Sequence, residues 1–271
     1  MPEPPDDTYT HGHHESVLRS HRWRTAENSA AFLLPHLRPG LDLLDLGCGP
    51  GTLTLDLAAR VAPGRVLGLD LAPEVVEAAR AEAAGSRAGA AVTFAVGDAY
   101  AVDAEAGAFD VVHAHQVLQH LSDPVAALRE MRRVVRPDGL VAARDSDYAA
   151  MTWAPLDPRL DRWLELYHEL TRLNRAEADA GRFLLGWAQE AGFTDVAATS
   201  STWTFADPGS RAWWGALWAD RVEHSAFAAQ ALGSGRSDPA ELADLADAFR
   251  SWASAPDGFF AVLHGEVLAR P

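Results

Sequence analysis

The chain has 271 residues, roughly one to two domains' worth, and is long enough to bury a sizeable core. Its net charge of −15 argues against nucleic acid as a partner, because a phosphate backbone would be repelled. Lysine is absent, which excludes a Schiff-base lysine and a P-loop lysine, and the single cysteine, Cys48, excludes an internal disulfide and a cysteine-rich metal site.

The start of the chain and its hydropathy indicate where the protein acts. The first ten residues are acidic and rich in proline, whereas a signal peptide is basic and then apolar. With only one cysteine, this predicts a cytoplasmic protein. No apolar run approaches the roughly 18 residues that span a bilayer, so we expect no membrane insertion. The sequence leaves the oligomeric state open, a homo-oligomer included.

The first predicted elements are one or two helices between Ser16 and Leu37, after a mobile tail over residues 1–10. From residue 41 onwards, short strands alternate with helices of about ten residues, which is typical of βαβ units around a parallel sheet. The strands are predicted at 41–47, 65–70, 92–96, 109–115 and 140–145, and the helices at 52–61, 73–84 and 123–135.

Beyond residue 145 the pattern changes to long helices and two further strands. The helices are predicted at 158–180, 181–191, 209–231 and 239–254, and the strands at 194–205 and 259–270. We interpret the chain as a tail with lid helices (1–40) followed by one domain (41–271). The core of that domain comprises 41–145, 181–205 and 259–270, and the helical insertions 146–180 and 206–257 are expected to cover a substrate.

The sharpest motif is a glycine-rich turn, DLGCGPG at 45–51, between the first strand and the first helix of the core. Three alternate glycines let backbone N–H groups approach a ligand closely, and the helix N-terminus adds a positive dipole. Asp45 is placed to accept hydrogen bonds from an amine. A dinucleotide-binding turn has its third glycine one residue later, where this chain has Thr52. The spacing therefore argues against NAD and favours a cofactor without a pyrophosphate.

Two more acidic residues end the next two predicted strands. Asp70 follows RVLGL and can hold both hydroxyls of a ribose, and Asp98 follows VTFAVG and can accept from the amine of an adenine. Because the carboxyl ends of parallel strands meet at one edge of a sheet, Asp45, Asp70 and Asp98 are predicted to line one ligand site. Each alone could also be a turn-forming or helix-capping residue.

The runs DLGCGPG, VLGLD, GDA, FDVVHAHQVLQHL and LREMRRVVRPDG resemble the class I S-adenosylmethionine-dependent methyltransferases. Within that class they are most similar to the group related to the ubiquinone and menaquinone biosynthesis methyltransferases. The resemblance covers residues 41–145. It implies an α/β, Rossmann-like fold: a seven-stranded, mostly parallel sheet with an antiparallel last strand, helices on both faces and helical lid insertions. It also implies S-adenosyl-L-methionine as cofactor and S-adenosyl-L-homocysteine as product.

The same resemblance assigns the cofactor site. It puts the glycine turn around the methionine part, Asp70 on the ribose, and Asp98 with Ala99 on the adenine. The predicted cofactor-binding residues are Asp45, Gly47, Cys48, Gly49, Gly51, Asp70, Leu71, Asp98, Ala99, His115 and Gln116. One departure is Asp138, where the family usually has glycine; we expect little consequence, because aspartate tolerates turn geometry.

A sulfonium is already an activated methyl donor, so the protein must mainly align a nucleophile and, for most oxygen or nitrogen nucleophiles, remove a proton. The candidate catalytic residues are Tyr9, His14, His115, His120 and Asp145. Each histidine can equally be a satisfied polar side chain beside the cofactor, and Asp145 can belong to a turn.

The segment Tyr9–His14 is rich in histidine and resembles the lid that closes over the cofactor in related small-molecule methyltransferases. Tyr9, His13 and His14 are therefore candidates for closing the site. We expect no metal there, since no cysteine and few acidic residues accompany the histidines. On the next helix, Arg24 and Asn28 are candidates for the cofactor carboxylate.

Eight of the nine tryptophans lie after residue 150. Trp153, Tyr148 and Trp214 are the candidate substrate pocket, although Trp214 and Trp218 are four residues apart and could pack in a core. An aromatic lid over a sulfonium site suggests a small, hydrophobic or aromatic metabolite. Together with the family resemblance, this implies methyl transfer to O, N or activated C of such a molecule, and the Lys-free, Ala- and Arg-rich composition resembles that of family members that modify specialised metabolites. The alternatives are a peptide or protein methyltransferase and a non-catalytic S-adenosylmethionine-binding protein.

Overall fold

The structure is a computed structural model that describes residues 7–12, 14–86, 89 and 91–271. His13, a predicted lid residue, and most of the predicted tail lie outside the described residues. The strands are β1 (Leu43–Leu46), β2 (Val66–Asp70), β3 (Val92–Val96), β4 (Phe109–His115), β5 (Val135–Ser146), β6 (Thr152–Ala154), β7 (Asp195–Phe205) and β8 (Phe259–Arg270).

The helices surround the sheet, with those of the amino-terminal half alternating with strands. They are α1 (Glu15–Arg22), α2 (Ala26–Ser29), α3 (Thr52–Val61), α4 (Pro73–Ala84), α5 (Pro124–Val134), α6 (Pro158–Leu173), α7 (Leu184–Glu190), α8 (Pro208–His224), α9 (Ala226–Gly233) and α10 (Pro239–Ser254). Among the described residues, no helix combines the length and apolar character needed to cross a bilayer.

The described strands form a single mixed sheet. Its order is β3-β2-β1-β4-β5-β8, with β7 pairing on β8. The first five strands are parallel, and β8 runs antiparallel to β5, β6 and β7. The predicted fold is therefore confirmed: all seven expected strands form and the last is antiparallel. The sheet also contains β6, a three-residue strand that the sequence pattern did not reveal, because three residues carry no periodicity.

Two of the predicted lid helices have different limits in the structure. Helix α6 ends at Leu173 instead of residue 180, because Arg175 adopts a left-handed conformation with φ +58°. The helix predicted over 209–231 is interrupted at Ser225, which ends α8 and whose hydroxyl accepts from Phe227 N to begin α9. Serine at such a position favours a helix start over a helix interior.

The helices α6, α8, α9 and α10 pack around their own aromatic core. Its largest members are fully or almost fully buried: Trp163, Tyr167, Trp218, Phe227, Phe249 and Phe260. Buried aromatic side chains contribute most of the hydrophobic stabilisation in such a cluster. The carboxyl-terminal helices are thereby packed together around one core, which also includes Tyr148 just after the carboxyl end of β5.

Candidate active site

A cavity of about 760 Å³ opens at the carboxyl ends of the parallel strands β1, β2, β3 and β4. Its volume lies in the range of roughly 300–1,000 Å³ typical of ligand sites, and its place at the strand ends is where open α/β sheets bind ligands. The predicted site residues that line it are Tyr9, Gly47, Gly49, Asp70, Leu71, Asp98, Ala99, His115, Gln116 and His120. We call it the main cavity.

The glycine turn borders the main cavity with bare backbone. Gly47 and Gly49 have φ values of +67° and +55°, a region that side chains other than glycine rarely adopt. A β-carbon at Gly47 would collide with Val117, and one at Gly49 would lie 3.2 Å from His21 Nδ1. Only glycine therefore lets this turn approach a ligand while it packs against its neighbours.

Asp70 and Asp98 are oriented by backbone N–H groups at the edge of the main cavity. Gly49 N donates to Asp70 Oδ2 at 3.0 Å and Ala72 N donates to Asp70 Oδ1 at 3.1 Å. Tyr100 N donates to Asp98 Oδ1 at 2.9 Å. The bond from Gly49 also ties the glycine turn to the end of β2, which fixes the two parts of the site relative to each other.

The structure places three predicted cofactor-binding residues away from the lining of the main cavity. Asp45 is buried, where its carboxylate accepts from Thr54 Oγ1 at 2.5 Å and pairs with His113 Nδ1 at 2.7 Å. Cys48 is buried against Phe94, and burial raises the pKa of its thiol. Gly51 begins α3 and packs against Phe94 as well.

Asp45 and Cys48 instead border a separate crevice of about 20 Å³. Arg24 and His115 line both this crevice and the main cavity.

Arg24, which lines both the main cavity and this crevice, contacts Gln116, which lines the main cavity. An Arg24 guanidinium nitrogen donates to Gln116 Oε1 at 2.5 Å, and burial lowers the pKa of Arg24 to about 10. Gln116 has φ +54°, an unfavourable conformation for a side-chain-bearing residue, and such strain is common at functional sites. Its Nε2 lies 2.9 Å from His264 Nε2. Within the described residues, Arg24 forms no ion pair with a carboxylate.

The amino-terminal segment covers the main cavity. Asp7 accepts from the Tyr100 hydroxyl at 2.7 Å and from Ser122 N at 2.9 Å. The Tyr9 hydroxyl lies 3.3 Å from His21 Nε2, and the Tyr9 ring stands edge-on to His120 with ring centroids 4.6 Å apart. Burial raises the pKa of Tyr9 to about 12. The phenol is therefore protonated at neutral pH.

A second cavity of about 30 Å³ adjoins the main one, and we call it the inner cavity. Tyr9, Arg24, Gln116 and His120 line both cavities, together with His21. Of the predicted substrate-pocket residues, Tyr148 and Trp214 line the inner cavity. The Tyr148 hydroxyl lies 3.2 Å from His11 Nε2.

The predicted role of Trp153 in the substrate pocket needs correction. Trp153 is 7% exposed and stacks on Phe260, with ring centroids 5.6 Å apart, in the aromatic core. It is not among the residues that line the two cavities. Its position on β6 directs the side chain into the protein, because alternate residues of a strand point to opposite faces.

Two of the candidate catalytic residues, His115 and His120, border the main cavity as neutral imidazoles. Burial lowers the pKa of His115 well below its ordinary value and that of His120 to about 3. Neither ring nitrogen of His115 has a hydrogen-bond partner among the described residues. Such histidines are poor proton acceptors at neutral pH, because protonating them would bury an unpaired charge.

Of the remaining candidates, Tyr9 lines both cavities, whereas His14 and Asp145 lie outside the residues that line them. His14 is exposed, and its Nδ1 accepts from Ser16 N to cap α1, which removes it from the candidate bases. Asp145 is buried beneath the turn after β4, where Gln119 N donates to its Oδ1 at 3.1 Å. Burial raises the pKa of Asp145 to about 7.

Sequence reasoning missed three side chains at the site: His11, Tyr100 and Arg221. His11 and Arg221 line the inner cavity, and Tyr100 lines the main one. Arg221 is one of 23 basic residues and stands in no motif, so no local signal distinguishes it. Arg221 is buried because α8 packs against α1, and this contact between distant parts of the chain cannot be predicted from the local sequence.

The chain matches a family model described as a methyltransferase domain over residues 44–143. It is 30% identical over 282 residues to an uncharacterised methyltransferase of Schizosaccharomyces pombe, covering 99% of this chain and 98% of the relative. It is also 42% identical over 105 residues to a nocamycin O-methyltransferase of Saccharothrix syringae, covering 38% of this chain and 37% of the relative.

Among solved structures, the fold is similar to a Haemonchus contortus phosphoethanolamine N-methyltransferase in complex with S-adenosyl-L-methionine. The TM-score is 0.57 at 19% identity, covering 90% of this chain and 52% of that chain. The glycine turn, the strand-end carboxylates and a cavity of cofactor size agree with the full-length relative and the family model. The chain therefore belongs to the class I S-adenosylmethionine-dependent methyltransferases, with S-adenosyl-L-methionine as its cofactor.

Proposed function

We propose that this methyltransferase transfers a methyl group to O, N or activated C of a small, hydrophobic or aromatic metabolite. The observation that carries the proposal is the inner cavity, which adjoins the main cavity and has walls that include Tyr148, Trp214 and Trp218. Aromatic walls suit the flat body of a small molecule and exclude water, and at about 30 Å³ the cavity widens when such a molecule binds. The proposed substrate segments 146–180 and 206–257 supply these walls.

The residues of the main cavity suit the cofactor. We assign the methionine part to the glycine turn, its carboxylate to Arg24, the ribose to Asp70, and the adenine to Asp98 with Ala99. The fit rests on the cavity volume, on backbone that only glycine can form at Gly47 and Gly49, and on a partly buried Arg24 whose buried Nε has no partner among the described residues. When bound, the cofactor supplies an electrophilic methyl group on a sulfonium.

The residues that line both cavities stand where the two reactants would meet. Tyr9 offers a protonated hydroxyl, while His120 and Gln116 offer neutral polar groups. We assign them to aligning the nucleophile and excluding water, because a positioned near-attack geometry lowers the barrier without any proton transfer. No group among these three is a strong base at neutral pH, so acceptors that ionise readily are favoured.

A peptide or protein substrate is the alternative. The segment from Asp7 to Tyr9 covers the main cavity, and a side chain on a peptide would need an open groove instead. The similarity to an O-methyltransferase named for the small molecule nocamycin supports a small acceptor and a role in specialised metabolism. We further propose that the protein acts in the cytoplasm.

The first experiment measures cofactor binding. Calorimetric titration with S-adenosylhomocysteine should show tight binding to the wild-type protein, and NADH should show none. Asp70→Asn should weaken S-adenosylhomocysteine binding by about 1–3 kcal/mol, because ribose hydroxyls lose a charged acceptor. Asp220→Asn, at a half-exposed ion pair with Arg19, is the matched control and should bind as the wild type does.

The second experiment measures turnover. Purified protein is incubated with S-adenosylmethionine and either a panel of small aromatic phenols, acids and amines or a mixture of peptides, and S-adenosylhomocysteine formation is followed. We expect product with members of the small-molecule panel alone. Methylated peptides would refute the small-molecule proposal, and binding of S-adenosylhomocysteine without turnover in any panel would favour a non-catalytic binding protein.

A further inference from the structure

Arg221, on the lid helix α8, presents a buried guanidinium to the inner cavity. The residue is 4% exposed. One of its terminal nitrogens donates to Ser20 Oγ at 3.0 Å and to Ser16 O at 3.5 Å, both on α1. The guanidinium lies over the Trp218 ring, 4.6 Å from the ring centroid. Its position is thus held by hydrogen bonds and by stacking.

The positive charge of Arg221 has no anionic partner among the described residues, and its Nε has no hydrogen-bond partner there. Other buried arginines of the chain are compensated differently. Arg144 pairs with Glu266 at 3.3 Å, and Arg211 donates to the carbonyl groups of Ala206 and Ala253. A buried charge is costly unless it is paired, so an unpaired guanidinium on a cavity wall indicates a missing anion.

The other groups around the inner cavity add positive charge or none. Arg24 lines the same cavity. Burial holds the pKa of His11 and His120 far below neutrality, and it raises the pKa of Tyr9 and Tyr148, so these four side chains are uncharged at pH 7. With Arg24 assigned to the cofactor carboxylate, Arg221 is available to the other reactant.

We propose that Arg221 is the anion-binding residue of the acceptor site, and that the acceptor is an organic acid whose carboxylate or phosphate is held by its guanidinium. This inference rests on the proposed small-molecule function. A planar guanidinium matches the two oxygens of such a group. The flat body of the acid packs against Trp214, Trp218 and Tyr148, which line the same cavity.

The acceptor displaces protein side chains when it binds. The inner cavity holds only about 30 Å³, and His11 fills the adjoining space with its ring stacked on Tyr167, centroids 5.2 Å apart. An acid therefore reaches Arg221 only as His11 and Tyr9 withdraw. The ion pair between the acid's anionic group and Arg221 offsets the free-energy cost of moving His11 and Tyr9. A neutral analogue forms no such ion pair.

The test uses pairs of probes that differ only in charge. Benzoate and benzamide, then cinnamate and cinnamamide, are titrated into protein saturated with S-adenosylhomocysteine, and binding is followed by ligand-observed NMR. We expect each acid to bind at least roughly tenfold more tightly than its amide, in keeping with a hydrogen bond to a charged group. Phenyl phosphate is titrated in parallel, and its affinity relative to benzoate identifies which anion the site prefers.

Variants then test whether Arg221 causes the difference in affinity between each acid and its amide. Arg221→Gln should bring the acid-to-amide ratio close to one, and Arg221→Lys should retain part of it. Arg211→Gln removes a buried arginine from the same helix but away from the cavities, so it controls for destabilisation and should keep the wild-type ratio.

Three outcomes overturn the inference: equal affinity of acids and amides for the wild type, binding of none of the probes, or an unchanged ratio in Arg221→Gln. The wild-type comparison does not depend on whether any variant folds. Failure to bind S-adenosylhomocysteine would instead refute the proposed function, so the two failures are distinguishable.

Discussion

Gly51 shows at the scale of one residue how the glycine turn serves the fold as well as the ligand. Its φ is +84°, and a β-carbon there would lie 2.7 Å from Phe94 Cζ. We expect Gly51→Ala to lower the free energy of unfolding by about 1–3 kcal/mol, from left-handed strain and overpacking. Denaturant unfolding measures the loss.

Gly186 is the matched control for that substitution. It lies inside α7, and a β-carbon there would meet no atom of a neighbouring element within 4 Å. Gly186→Ala should raise the free energy of unfolding by about 0.5–1 kcal/mol, because alanine restricts the unfolded chain and favours the helix. Equal effects of the two substitutions would contradict the packing explanation for Gly51.

Asp145 makes stability depend on pH. Burial raises the pKa of its carboxyl from 3.8 to about 7, so the folded state holds the proton more tightly than the unfolded state. Its stabilising contribution is full below about pH 4 and is lost as the pH rises through about 7. Asp145→Asn should therefore be more stable than the wild type at pH 8, by a few kcal/mol at most.

The measurement is the difference between wild-type and Asp145→Asn unfolding free energies across pH 4–8. The difference is needed because His11, His115 and His120 act in the opposite sense: their lowered pKa values make stability rise with pH over the lower part of the range. A difference that does not change with pH would show that the Asp145 carboxyl titrates normally.

At the scale of an element, the short strand β6 positions the side chain of Trp153 in the aromatic core. Strand pairing sets Trp153 opposite Phe260, and the two rings stack. We expect Trp153→Ala to cost about 3–5 kcal/mol of unfolding free energy through the cavity it leaves. S-adenosylhomocysteine affinity of the folded variant should be unchanged, since Trp153 does not line the main cavity.

Trp153→Phe is the conservative comparison. Trp153 Nε1 has no hydrogen-bond partner among the described residues, so Trp153→Phe loses packing alone and should cost less unfolding free energy than Trp153→Ala, because it leaves a smaller cavity. If Trp153→Ala instead weakened acceptor binding and left stability unchanged, the role predicted from sequence, as a wall of the substrate pocket, would be restored.

The elements differ in how well a sequence pattern predicts them. Helices α3, α4 and α10 have the predicted limits, because glycine, proline and aspartate mark their ends. The break between α8 and α9 at Ser225 was not predicted, since apolar spacing continues across it and serine alone is a weak signal.

At the scale of the whole molecule, cofactor binding should stabilise the fold. The main cavity draws its lining from four strand ends and from the amino-terminal segment, so a ligand there contacts parts distant in sequence. S-adenosylhomocysteine at 100 times its Kd should add about 2.7 kcal/mol to the free energy of unfolding. Urea unfolding with and without the ligand measures the gain, and NADH at the same concentration should leave stability unchanged. A gain with both ligands would contradict a site selective for S-adenosylhomocysteine.

The sequence by itself determined the sheet, the glycine turn and the class of cofactor. These depend on short-range features: apolar strands of about five residues, glycines where φ is positive, and aspartates at strand ends such as Asp70. Each is written within a few consecutive residues, and parallel strand ends necessarily meet at one edge of the sheet. The position of this site could therefore be predicted without coordinates.

Only the tertiary structure decided which side chains surround the acceptor. His11 and Arg221 are 210 positions apart, counted from their residue numbers, and they share the inner cavity because α1 packs against α8 and the amino-terminal segment folds over both. Trp153 and Trp214 look alike in sequence and both pack in the aromatic core, yet of the two only Trp214 also lines the inner cavity. Long-range packing decides which side chains are buried. Burial lowers the pKa of His11, His115 and His120, and packing leaves the charge of Arg221 without an anionic partner among the described residues; no local pattern encodes either effect.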